Sequence, residues 1–401
     1  MSTISDAPVA GGARPISRAL VLVLAIAVGA AVANIYYVQP LLNVLGDAFG
    51  VSETAAGLLV TCAQVGYVAG LALLVPLGDL RERSGLITTL LAGAGIALAA
   101  CAAAPSFGVL AAGLIAVGAL SCVAQILVPL AASLAGPRER GQVVGTVMSG
   151  LLVGILSARI VSGLIAELGG WRLMFALAAG GMLVLALVLR RVLPRLPAVE
   201  PMAYRSALRS VLALIAEEPV LRQRMVLGVF QMAGFSVLWT SIAFLLGSAP
   251  YGYNEAIIGL FGFAGLAGAL VAPFAGRLDD RGHGRLAMSA FLVAILASWA
   301  LLAAGHASLI ALIAGIVLLD LGVQGAQISN QSTVYRLRPE ARSRLTTAYM
   351  VALFLGGVLG SLASASVYGA AGWGATCALG AIIAAIALAI WAISERLSSA
   401  A

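Results

Sequence analysis

The sequence predicts an all-α membrane protein of twelve transmembrane helices arranged as two parallel six-helix repeats. Three observations carry that prediction: a composition too apolar for water, twelve apolar runs of membrane-spanning length, and one constant displacement that lays the second half of the chain on the first. Of the 401 residues, 62% are hydrophobic and 10% charged, with a mean hydropathy of +1.07. Soluble domains are about 25% charged, so this chain cannot cover itself with charge and the bilayer is its natural solvent. The 47 glycines fit the same reading, because small residues let membrane helices approach closely.

The composition also excludes functions. The formal net charge is +7, and all 23 basic residues are Arg. They lie scattered in short loops and form no basic face, which argues against a nucleic-acid partner. Cys62, Cys101, Cys122 and Cys377 fall in apolar runs with no paired spacing, so neither a disulfide framework nor a metal site is expected. His283 and His306 are near loops, and two lone histidines make no metal centre. A nucleotide-binding loop of the GxxxxGK[ST] kind needs Lys, which is absent. No cofactor is expected, and no nucleophile–base pair marks an enzyme. The start, MSTISDAPVAGGARPISR, is polar and reads as a short tail, not a signal peptide.

A membrane helix needs about 20 apolar residues. Runs of that order lie at 18–43, 54–79, 86–104, 107–135, 142–166, 171–190, 223–248, 255–277, 285–304, 308–335, 345–368 and 373–394. They are called spans one to twelve below. The expected organisation is a tail over 1–17, a six-helix bundle over 18–190, a linker over 191–222, a second bundle over 223–394 and a tail over 395–401. Within the linker, AYRSALRSVLALIAEEP has apolar residues at helical spacing, with Arg205 and Arg209 opposite. It reads either as an amphipathic helix on the membrane surface or as a linker helix packed on the bundle. Placing both termini in the cytoplasm puts 21 of the 23 Arg on that side, as the positive-inside rule asks. The expected location is a bacterial inner membrane.

A displacement of 202 residues brings the halves into register. Gly57 falls on Gly259, Gly66 on Gly268, Pro137 on Pro339, Arg140 on Arg342, Met148 on Met350 and Gly154 on Gly356. AQI at Ala124–Ile126 falls on AQI at Ala326–Ile328, and the GW pair at Gly170 on the one at Gly372. Six helices per repeat make the halves parallel, with a binding site between them near the midplane.

GYVAGLALLVPLGDLRERSG, Gly66 to Gly85, links spans two and three through an Asp followed by basic residues and a Gly, and GRLDDRGHGR, Gly276 to Arg285, occupies the matching link of the second repeat. The first link is similar to the signature of the major facilitator superfamily between helices two and three, and the chain resembles that family over essentially its whole length. NIYYVQPLL, Asn34 to Leu42, together with LRPEARSRLTTAYM, resembles a bacterial branch of drug and sugar efflux permeases. The resemblance implies secondary transport by alternating access, with helices one, four, seven and ten lining a cavity. It also implies a gate in which Asp79 faces the N-terminal dipole of helix eleven and pairs with Arg81 or Arg83; Asp280, with Arg281 beside it, is the matching candidate. One departure stands out. Efflux members carry GxxxGPxxGG on helix five, but here the stretch is GILSARIVSG, with Arg159 where the Pro would be, and helix four is apolar near Leu114 where the family has an Arg.

Asp320 is the one acid of the 16 that sits deep in a span. It lies about twelve residues, or about 18 Å, into helix ten. A charge at that depth is functional by default, and a carboxyl there can take a proton on one side and release it on the other. Its repeat mate is Gly118. The alternatives are a permanently protonated Asp bonded to a backbone carbonyl, or a fixed salt bridge to Arg159. Arg159 itself needs an anion: Asp320, a carbonyl cluster or a substrate carboxylate or phosphate. The remaining substrate-contact candidates are Asn34 and Tyr37 on helix one (with Tyr36 and Gln39 beside them), Gln64 on two, Gln125 on four, Gln231 and Trp239 on seven, and Gln324, Gln327 and Asn330 on ten. Asp320, Gln324 and Gln327 are spaced i, i+4, i+7 and share one helix face. The amides can equally be interhelical glue. The expected function is proton-coupled export, by antiport, of a small organic molecule such as a drug, sugar or metabolite. The alternative is uptake or facilitated transport of an organic anion through Arg159. A single copy of the chain should suffice.

Overall fold

A computed structural model describes residues 16–136, 139–194, 203–265, 283–338 and 341–400. The elements in order are α1 (Arg18–Ala33), a 3-10 turn (Gln39–Leu41), α2 (Leu42–Phe49), α3 (Glu53–Leu73), α4 (Leu77–Leu80), α5 (Arg83–Ala102), α6 (Phe107–Ser121) and α7 (Ala124–Leu134). There follow α8 (Arg140–Val192), α9 (Tyr204–Glu217), α10 (Pro219–Gly247), α11 (Glu255–Leu260), α12 (Gly284–Ala304), α13 (Leu309–Leu337) and α14 (Arg342–Ala400). Eight helical segments among the described residues are long and apolar enough to cross a membrane.

These segments accommodate the predicted spans. α8 is 53 residues long and breaks at Gly169–Gly170 into spans five and six. α14 is 59 residues long and breaks at Gly372 into spans eleven and twelve. Gly170 (φ 78°) and Gly372 (φ 70°) hold left-handed backbone that only glycine adopts without strain, and they are repeat mates. Span one is interrupted by the 3-10 turn around Pro40 and continues as α2. Span two is α3 and then α4, span four is α6 and then α7, and span eight is described as far as Gly265.

The helix starts repeat as well. Ser52 Oγ caps α3 by accepting from the Ala55 amide, and its mate Asn254 caps α11 by accepting from the Ile257 amide. Ser106 caps α6 through the Val109 amide, and its mate Ser308 caps α13 through the Ala311 amide. A side-chain oxygen at that position satisfies one orphan backbone donor of the first turn.

Small residues then set the packing. A Cβ on Gly154 would overlap the Gly29 carbonyl, which fixes span one on span five, and a Cβ on Gly356 would overlap the Val229 carbonyl, which fixes span seven on span eleven. Two seams join the repeats: Gly57 of span two meets Ala365 of span eleven, and Gly259 of span eight meets Gly163 of span five. The displacement of 202 maps each seam on the other. Large apolar side chains such as Leu22, Ile96, Val153 and Ile310 face outward, as a bilayer-facing surface requires. α9 buries Leu214, lays Val211 and Ile215 against the core, and turns Arg205 and Arg209 outward.

Candidate functional site

Four spans converge on one buried centre. The 3-10 turn at Gln39–Leu41 bends span one so that Tyr36 and Gln39 reach Arg159 of span five. Arg159 is 2% exposed. Its Nε donates to Gln39 Oε1 at 2.7 Å, and its Nη1 reaches the Ile155 carbonyl of its own helix at 3.5 Å. Nη2 has no hydrogen-bond partner among the described residues. The guanidinium lies over the Trp239 ring with 3.8 Å from Cζ to the centroid, flanked by Tyr36 at 5.0 Å and Phe235 at 5.6 Å. Stacking of a desolvated cation on an indole is worth about 2 kcal/mol.

The same indole touches the acid. Trp239 Nε1 donates to Asp320 Oδ1 at 3.3 Å, and Asp320 is 4% exposed. Arg159 and Asp320 make no ion pair, having no nitrogen–oxygen approach within 4.0 Å. The fixed salt bridge left open by the sequence is therefore absent. One neutral side chain from span seven stands between a cation of the first repeat and an acid of the second. Span eight closes the centre: a methyl group on Gly265 would lie 2.5 Å from Asp320 Oδ2.

The other candidate residues form three further groups. Gln231 Nε2 donates to the Val323 carbonyl at 2.7 Å, Asn330 Nδ2 donates to Gln231 Oε1 at 3.3 Å, and Arg224 donates to Asn330 Oδ1 at 3.3 Å. This chain joins spans seven and ten and runs from just under one turn to about three turns from Asp320, towards the Arg-rich end. Asn34 donates to Ser121, Gln64 to Ser236 and Gln125 to the Tyr67 hydroxyl, each linking two spans. Tyr37 is nearly buried, and its carbonyl accepts from Ser162 at 2.6 Å. Gln324 and Gln327 are half-buried and make no hydrogen bond among the described residues.

At the Arg-rich end, Asp79 Oδ1 accepts from Arg83 Nη2 at 2.8 Å, while Arg83 Nε donates to the Gly78 carbonyl. Asp79 Oδ2 accepts from Ser343 Oγ at 3.1 Å, in the first turn of α14. Arg81 is exposed and makes no ion pair among the described residues. Asp280 and Arg281 lie outside the described residues.

Sequence reasoning passed over Phe235, Ser121, Ser236 and Gly265, and it noted Tyr36 and Gln39 only as neighbours on helix one. The repeat register held a usable signal for Gly265, whose mate is Ala63, just as the mate of Asp320 is Gly118. No sequence pattern marks Phe235.

A multi-pass helical bundle with polar groups buried at its middle and repeat-related seams is the architecture of a membrane transporter, the class that the family match and the transporter-named relatives show for this chain. The sequence pattern of the Major Facilitator Superfamily matches residues 24–339, and the chain belongs to that family. It is 48% identical over 378 residues to the uncharacterized transporter YgaY of Escherichia coli O157:H7, covering 94% of this chain and 95% of YgaY. It is 35% identical over 369 residues to the transporter SCO4007 of Streptomyces coelicolor, covering 90% and 84%. In fold it is similar to a bacterial homologue of the human lysosomal transporter Spinster, solved inward-facing and unoccupied, with a TM-score of 0.72, 16% identity and coverage of 96% and 98%.

Proposed function

We propose that the chain is a secondary active transporter that exports a small organic molecule by alternating access, driven by protons that enter at Asp320. The observation that carries this reading is the partner of Asp320. A deep acid paired with Arg159 would be held charged, and releasing it would cost several kcal/mol. A deep acid whose partner is the Trp239 indole can gain and lose a proton without breaking an ion pair. The half-buried Gln324 and Gln327 continue from Asp320 along the same helix face towards the Arg-rich end. Asn34, Tyr37, Gln64, Gln125, Gln231, Trp239 and Asn330 complete the substrate contacts in this reading. Asp79, with Arg83 and Ser343, forms the cytoplasmic latch, Arg81 adds interfacial charge, and Asp280 with Arg281 is its counterpart in the second repeat. Both termini are then cytoplasmic, in the inner membrane, and one chain is the working unit.

The test starts with a thermal-shift screen of metabolites and antimicrobials on the purified protein. Each hit is then followed in proteoliposomes under an imposed proton gradient. Asp320→Asn keeps the shape and most of the hydrogen bonding, and it is expected to abolish uphill transport while sparing downhill exchange. Uphill transport by that variant with an unchanged proton dependence would sink the coupling role.

A second reading has its own support. Arg159 keeps its charge, and its buried Nη2 has no partner among the described residues. With Nε occupied by Gln39, Nη1 at 3.5 Å from the Ile155 carbonyl and one face covered by Trp239, Nη2 is the donor left for a carboxylate, a charge-assisted pairing that guanidinium favours. In this reading the chain takes up or equilibrates an organic anion. Arg159→Ala should then weaken binding of anionic hits by at least about tenfold, the scale of a lost charge-assisted hydrogen bond. Unchanged affinity would exclude the contact.

A further inference from the structure

The repeat register exposes an exchange of sizes at one helix crossing. In the first half, span four rests directly on span two: a Cβ on Gly118 would overlap the Ala63 carbonyl and lie 2.8 Å from the Tyr67 amide nitrogen. The 202-residue displacement carries Gly118 to Asp320 and Ala63 to Gly265. In the second half, therefore, the larger residue sits on the second helix of the crossing, span ten, instead of on the first, span eight. The space it fills is bounded by the bare Cα of Gly265, where an added methyl would lie 2.5 Å from Asp320 Oδ2 and 3.5 Å from Leu156 Cδ2. Real Cβ atoms do not approach an oxygen that closely. Asp320 has only two side-chain torsions, and its other oxygen accepts from Trp239 Nε1 at 3.3 Å, so moving Oδ2 away from an added methyl strains the contact with the indole.

We propose that Gly265 is a positioning residue for Asp320: glycine at this point of span eight opens the recess that lets the carboxyl sit at midplane with Oδ1 on Trp239, and the two positions form one compensated unit. For its functional consequence this rests on the reading of Asp320 as the proton carrier, but the packing unit can be tested without any substrate. The full-length protein is purified in detergent as wild type, Gly265→Ala, Asp320→Gly and the double variant, which recreates the Ala63–Gly118 pairing of the first half. Melting temperature is measured for each. The emission of Trp239 is taken as the difference on adding Trp239→Phe in each background.

Gly265→Ala is expected to lower the melting temperature by several degrees where Asp320 is present and to have little effect where position 320 is glycine. Neighbours that share one contact are non-additive in this way. Its Trp239 emission should move to the blue, to the value seen in Asp320→Gly, as the indole loses its acceptor. If Gly265→Ala does not fold alone but folds with Asp320→Gly, the unit is supported. Equal losses in both backgrounds, loss of folded protein in both, or no effect in either would overturn it. Asp320→Asn keeps the same bulk, so normal proton dependence in that variant would remove the proton-carrier reading while leaving this cycle intact.

Discussion

The crossing of spans two and four and the crossing of spans eight and ten occupy equivalent places, yet they are built from opposite materials. In the first, backbones touch through Gly118 with no side chain between them at that point. In the second, a carboxyl fills the gap and reaches an indole. The seams between the repeats differ in the same sense. Ser361, the mate of Arg159, shares a 2.9 Å hydroxyl bond with Thr61 across spans two and eleven, whereas Arg159 brings a cation to the centre beside spans five and eight. The caps, the glycine breaks and the close helix contacts are shared between the halves; the two charges buried at the centre are not. The repeat thus supplies a symmetric scaffold, and the central charges have been added asymmetrically to it.

The comparison breaks most severely if the first crossing accepts what the second holds. Gly118→Asp would drive a side chain into the Ala63 carbonyl and bury a carboxyl with no recess. Overpacking costs about 1–3 kcal/mol and an unpaired buried charge several more. We expect no folded protein, read as loss of the monodisperse peak on size exclusion of a fluorescent fusion. A stable Gly118→Asp variant would mean that the crossings are interchangeable after all.

The scaffold was largely legible in the sequence and the centre only partly so. The 202-residue displacement already paired Gly170 with Gly372 and Gly57 with Gly259, and these became a repeated break and a repeated seam. Asp320 and Arg159 were legible because a charge in an apolar run is expensive wherever it points. Their relation was not legible. It depends on Trp239 projecting between two other helices and on Pro40 turning span one so that Gln39 reaches Arg159, and both are matters of direction across four spans. Spacing alone put Gln324, Gln327 and Asp320 on one face of helix ten. In the fold Asp320 is held against span seven, while the two amides make no hydrogen bond among the described residues.

A milder change sharpens what the asymmetry does. Trp239→Phe keeps an aromatic face under Arg159 but removes the Nε1 donor to Asp320. A hydrogen bond to a charged group contributes about 1.5–3 kcal/mol, so proton-driven transport of a hit from the ligand screen should fall by at least about tenfold. Trp239→Tyr, the residue type at the mate position Tyr37, should not restore it, because the shorter ring places its hydroxyl elsewhere. Recovery with Tyr would show that any buried donor suffices and that the link between the two charges is loose.

The smallest effect is expected at the Arg-rich end, where position 343 carries a hydroxyl that its repeat mate lacks. Ser343 of span eleven donates to Asp79, while its mate on span five is Gly141, which has no side chain to offer and no atom near its Cβ position. Ser343→Ala removes one acceptor contact of Asp79 but leaves the Arg83 arm at 2.8 Å. Because the Asp79 side chain is 37% exposed, solvent screens this bond and its net worth falls to about 1 kcal/mol, equivalent to about a fivefold change in the ratio of closed to open forms at that end. Distances between spin labels at the Arg-rich ends of spans two and eleven should therefore shift towards the longer population without losing the shorter one. Asp79→Asn, which disables both arms as charged partners, should shift them further. If Ser343→Ala moved the populations as far as Asp79→Asn, the hydroxyl would be the whole latch and Arg83 only a neighbour, and the two ends of span two would have to be weighted differently from the way their geometry suggests.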